Sequence, residues 1–161
     1  MAFTVDGNIG LDLTKTMSDA SGGEWVLGSM VRASDGNWYQ YVHASGAIAQ
    51  YDFVKVDYDF EITTLTTTAS GTEPTAVGCA QVAFADNEYG WVVRGGGTFT
   101  GQGAAAIADN AKIYTTATAG EVDDDSSGHD LIQGLTITAA LGAQGNGAFR
   151  ATDLMKTNGQ D

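Results

Sequence analysis

Cysteine occurs once in this 161-residue chain and proline once, and only 7 lysines and arginines stand against 20 aspartates and glutamates. The lone Cys79 excludes an intramolecular disulfide; set in the apolar run Ala76-Val77-Gly78-Cys79-Ala80, it reads as a small buried hydrophobe. A single Pro74 excludes a proline-rich linker. The basic residues are few and unclustered, which argues against nucleic acid as a partner, because binding phosphates takes a positive stripe that releases counterions. No stretch approaches the roughly 20 apolar residues that span a bilayer. The opening MAFTVDGNIGLDLTK has neither a basic n-region nor an apolar h-region, so the expectation is synthesis in a cytoplasm without a membrane partner. Two histidines, His43 and His129, with one cysteine make an improbable zinc site, and no cofactor is expected.

Glycine, at 22 residues, is about twice its usual share and points to many tight turns between short strands. Trp25 to Val31 and Trp38 to Val42 read as strands around the turn Ser34-Asp35-Gly36-Asn37, where Asp-Gly supplies positive φ. Tyr51 to Tyr58 alternates, and Phe60 to Thr68 is β-branched and threonine-rich. Further strands are expected at Val77 to Phe84, Tyr89 to Arg94, Ala111 to Thr116 and Leu131 to Thr138. Ala104 to Ala111 and Ala151 to Lys156 are the only helical candidates, and no 3.6-residue apolar stripe is sustained. The expected fold is all-β, a compact barrel or sandwich of short antiparallel strands, with extended arms at both ends. Residues 1–22 are expected to form an N-terminal arm or edge strands, 23–142 the barrel and 143–161 a C-terminal tail around Phe149, Leu154 and Met155.

The stretch Trp38 to Asp57 recurs in reworked form from Trp91 to Thr116. In both copies Ala-Ile-Ala, at Ala47-Ile48-Ala49 and Ala106-Ile107-Ala108, precedes Val54 or Ile113 at the same spacing. This is the pattern of a repeated strand–loop–strand unit.

Signals for chemistry are weak. Gly101-Gln102-Gly103-Ala104-Ala105-Ala106 fits a dinucleotide fingerprint with Glu121 downstream, but the polar turn after Thr115 leaves no second βαβ unit to complete it. Glu121 to Asp130 is oxygen-rich, yet lacks the spaced ligands of a calcium hand and reads as a solvated loop. No Gly-x-Ser-x-Gly elbow places a nucleophile, and an enzyme is not expected. Three tryptophans and six tyrosines suit a core or subunit seam better than a sugar-stacking platform.

Three segments carry a family resemblance. These are aromatic-x-x-x-Val-x-Ala-Ser-Gly-Ala-Ile-Ala-x-Tyr-Asp within Trp38 to Asp57; Val-Gly-x-Ala-x-Val-Ala followed by Asp-Asn-Glu-Tyr-Gly-Trp-Val; and Ala-x-x-Ala-x-Ile-Tyr-Thr-Thr-Ala-Thr-Ala-Gly. In them the chain resembles the decoration, or cement, proteins of bacteriophage heads. The resemblance implies a β-barrel in the virion, often a trimer, that clamps the major capsid protein on the outer surface of the shell. On that view Phe3, Val5, Ile9, Leu11, Leu13, Leu154 and Met155 are the anchors that face the capsid or a neighbouring subunit. The alternatives from other classes are a carbohydrate-binding β-sandwich and a subunit of the tail or connector.

Overall fold

A short segment with β1 (Met17–Ser18) and a strap carrying β2 (Met30–Arg32) precede two copies of one five-strand unit. This computed structural model describes residues 11–18, 23–71 and 75–157. Strand makes up 49% of the described residues and helix 3%, so the all-β expectation holds.

The first unit contains β3 (Trp38–Ala44), β4 (Phe53–Val56), β5 (Glu61–Thr64), β6 (Ala76–Ala80) and β7 (Glu88–Gly95). β3 pairs with β5 in parallel, and antiparallel pairings β5–β4, β4–β6, β6–β7 and β7–β3 close the circuit. The second unit contains β8 (Thr98–Gly103), β9 (Lys112–Thr115), β10 (Val122–Asp123), β11 (Leu131–Ile137) and β12 (Gly145–Thr157). Its pairings repeat the first set member for member, with β8–β10 parallel and β10–β9, β9–β11, β11–β12 and β12–β8 antiparallel. Closing a sheet on itself removes the exposed edges that otherwise invite aggregation.

The sequence repeat holds at its Ala-Ile-Ala segments but not at its start: Trp91 lies in β7 of the first unit, the counterpart of β3 is β8, and the structural repeat runs on through β12. Ile48 bridges Phe84, and Ile107 bridges Leu141, each across an isolated antiparallel pair at one end of its barrel. The four bridge residues sit in AIAQYD, AFADNE, AIADNA and ALGAQG. Three of these corners share one turn, closed by Asp52 N to Ala49 O, Glu88 N to Ala85 O and Ala111 N to Ala108 O, all at 3.3 Å. Each turn places a non-glycine residue at positive φ, namely Tyr51, Asn87 and Asn110. A carboxylate accepts the first amide of each turn: Asp52 from Ala49, Glu88 from Ala85 and Asp124 from Ala108. These side-chain bonds and the barrel closure hold a conformation that Tyr51 alone disfavours.

The halves share one sheet through β6 and β12 and one large core. A second cluster, with Val42, Ile48, Val54, Ile62, Phe84 and Val92, belongs to the first unit alone. Phe53 points away from that cluster and packs edge-on against Phe99 and Phe149 of the second unit.

Several local expectations are corrected. The C-terminal stretch is no tail: β12 is the longest strand, paired with β8, β11 and β6. Its buried residues Phe149, Ala151, Met155 and Thr157 fall on alternate positions, a period hidden in the sequence because the inward positions before Phe149 are glycines, Gly145 and Gly147. Neither helical candidate is a helix; Ala104 to Ala111 forms turns and the Ile107 bridge, and Ala151 to Lys156 lies within β12. The helix is instead α1 (Thr67–Ser70), where the hydroxyl of Thr66 accepts from Ala69 N at 2.9 Å and ends the extended run that threonine content favoured. From Trp25 to Val31 only the end is strand, because Gly28 at φ 83° turns the chain beneath the Phe60 ring.

Candidate interaction surface

The strap is fastened to the first barrel by its backbone. Gly28 N donates to Tyr41 O and Tyr41 N to Ser29 O, both at 2.9 Å, while β2 pairs with β3 from Met30–Gln40 to Arg32–Trp38. The Tyr41 hydroxyl accepts from Glu24 N at 3.1 Å, and Lys15 Nζ meets Glu24 Oε1 at 2.7 Å, joining the earlier segment to the strap. Trp25 leans its edge on buried Trp91, with centroids 6.1 Å apart.

What this fastening leaves outside is apolar. Val26 is 80% exposed, and Trp25, Met30 and Trp38 are between 36% and 40% exposed. The Arg32 guanidinium lies 5.9 Å from the Trp38 ring centroid, within cation–π range. Among the described residues no strand covers the outer edge of β2, so its backbone groups are open to a partner strand. The sequence pattern places Trp25 to Val31 in a strand and carries no sign that Val26 and Met30 face outward.

The residues expected as anchors are placed differently from one another. Phe3, Val5 and Ile9 lie outside the described residues. Leu11 and Leu13 pack, half-buried, against the chain's own core. Leu154 is in β12, with its side chain outside the described set. Met155 is fully buried in the core and offers no outward side chain, because its parity along β12 is that of Phe149 and Ala151.

The chemical motifs resolve into structural roles. Gly101 and Gly103 sit inside β8, not at a strand-to-helix turn; a Cβ on Gly101 would stand 2.7 Å from the Phe53 ring. The acidic loop divides its oxygens: Glu121 accepts from Gln144 Nε2, Asp124 from Ala108 N, and Asp125 from Ser127 N. Among the described residues no three His, Cys, Asp or Glu side chains converge as a metal site. His43 packs on Tyr89 at 4.6 Å with Nδ1 at 3.6 Å from Glu61 Oε1. Cys79 is fully buried, and burial pushes its thiol pKa well up. No protein-family model matches the chain, and neither a curated protein nor a solved structure does.

Proposed function

We propose that the protein is a structural virion component that docks on the outer surface of a bacteriophage capsid and stabilises its lattice. The observation that carries this reading is the apolar strap: Val26 is 80% exposed beside Trp25 and Met30, on a segment whose backbone is already held by the barrel. A side chain presented on a pre-ordered backbone meets a partner with little further entropy loss. Trp and Met are enriched at the centres of protein interfaces, and the open edge of β2 adds backbone donors and acceptors for a neighbouring strand. Repeated over a lattice, modest contacts of this kind sum to strong retention. The net charge of −13 suits a protein that stays soluble until it meets its lattice.

The test is co-sedimentation of the purified protein with expanded heads assembled from the major capsid protein encoded in the same genome. A sedimentation mass of the free protein reports whether it is the expected trimer. The protein should pellet with heads, and Val26→Asp should remain in the supernatant while keeping its thermal midpoint. Failure of the unaltered protein to pellet would end the proposal.

A further inference from the structure

The two barrels share their register around Val92 and Phe149 but differ in what fills one end. Gln40 pairs with Val92 as Phe99 pairs with Phe149, and the same register puts Gly78 where the second barrel has Leu135 and Arg94 where it has Ala151. Phe99, Leu135 and Ala151 form an ordinary apolar layer, all buried. In the first barrel the layer is Gln40, Gly78 and Arg94, also buried. Gly78 makes the exchange possible: a Cβ there would approach Val92 at 3.0 Å and the Arg94 side chain at 3.4 Å. The architecture thus closes without a charge at this layer, and one copy nevertheless carries a guanidinium.

That guanidinium is left incomplete. Arg94 is 5% exposed, donates Nη1 to Gln40 Oε1, and has no hydrogen-bond partner for its buried Nε. Among the described residues no carboxylate pairs with it. Burial lowers its pKa to about 10. An unpaired buried charge is costly, and five N–H donors in a fixed fork match a planar oxyanion. Arg94 and Gln40 line a cavity of about 530 Å³ at the barrel end, within the size range of small-molecule sites. Val56, Phe60 and Ala76 give it apolar walls, and Asp57, the acidic group among its described lining residues, is held by Lys55 at 2.7 Å.

We propose that this end of the first barrel binds a small organic carboxylate, received by the Arg94 guanidinium with its apolar part between Val56 and Phe60. The site reaches the strap through Gln40, whose Nε2 donates to Gly28 O at 3.4 Å, but the proposal does not depend on capsid docking.

Benzoate is the probe, with benzamide as its neutral counterpart, followed by the Arg94 Nε–H resonance and by titration calorimetry. Benzoate should shift that resonance and bind at least about tenfold more tightly than benzamide, as a charge-assisted pair requires. Its affinity should rise from low salt to about 0.15 M, because screening over about 8 Å quiets the distant carboxylates and leaves the buried cation effective. The triple substitution Gln40→Phe, Gly78→Leu, Arg94→Ala installs the second barrel's layer and should abolish binding in a folded protein. Arg94→Gln is the fallback variant should the triple fail to fold. An unmoved Arg94 resonance at tens of millimolar benzoate, or equal binding by a folded charge-free variant, would overturn the site. So would binding that appears only in Glu73→Gln, since the occupant would then be the chain's own carboxylate from outside the described residues.

Discussion

Tyr39 donates its hydroxyl to Asp35 Oδ2 at 2.9 Å, so a strand residue holds the turn that precedes it. The same carboxylate accepts from Asn37 N at 2.9 Å and from Asn37 Nδ2 at 3.0 Å, and Asn37 in turn reaches Thr98 O, the start of the second barrel. One turn therefore ties β2, β3 and β8. Asp35→Ala removes the carboxylate that accepts three hydrogen bonds and leaves the Asn37 backbone N–H without that partner, and should cost about 2–4 kcal/mol in urea unfolding. Tyr39→Phe, which removes one bond, should cost about 1 kcal/mol. Burial pushes the Asp35 pKa up, but the bonds from Asn37 and Tyr39 outweigh it and the net shift is downward. The stabilisation is therefore present above the unfolded-state pKa of about 4 and is lost as pH falls through the lowered value.

At alkaline pH the turn responds in the opposite sense. Burial, then the bond to Asp35, raises the Tyr39 pKa well above 10. The folded state keeps a proton that the unfolded state releases, so the contribution is complete below about pH 10 and declines as pH rises beyond it. Arg94 opposes this trend, because its pKa is lowered and its burial cost relaxes once it deprotonates near pH 10. Stability followed from about pH 9 to 11 should fall more steeply for the unaltered protein than for Tyr39→Phe. Parallel slopes would mean that Tyr39 titrates freely.

Equivalent glycines in the two barrels should not be equally sensitive. A Cβ on Gly90 would stand 2.6 Å from the buried ring of Phe84, whereas on Gly147 its nearest neighbour is the mobile end of Ile137 at 3.2 Å. Gly90→Ala should lose about 1–3 kcal/mol by overpacking, and Gly147→Ala under about 1 kcal/mol. Urea midpoints of the two variants give the comparison directly.

The strands that the sequence revealed are those with β-branched or aromatic alternation, such as Trp38 to Val42 and Tyr89 to Arg94. β8 and β12 were hidden because glycine does the work of inward residues at Gly101, Gly103 and Gly147, where a neighbouring ring or branched side chain fills the space. Half of the repeat was legible as Ala-Ile-Ala; the other half, at Phe84 and Leu141, had exchanged its central residue and escaped the pattern. Arg94 was unreadable as a site, since its meaning lies in the contrast with Ala151, and that contrast exists only once the register is known. The exposed strap was likewise invisible, because a sequence rich in Trp, Val and Met reads as core until the turn at Gly28 sets part of it outside.

Cys79 offers a probe of how tightly the halves are joined. Its thiol is fully buried on the face of β6 turned toward the second unit, near Thr100 O at 3.3 Å and Tyr51 O at 3.5 Å. Gln81 Nε2 covers it, reaching both Cys79 Sγ at 3.4 Å and Thr100 O at 2.8 Å. Burial raises its pKa, so both access and thiolate content are suppressed in the folded state. A disulfide reagent should leave the native protein unmodified and react stoichiometrically across the urea transition. If the halves separate below that transition, modification will precede the loss of far-ultraviolet strand signal; coincidence of the two is expected, because Phe53 and the β6–β12 pairing bind both barrels into one cooperative core.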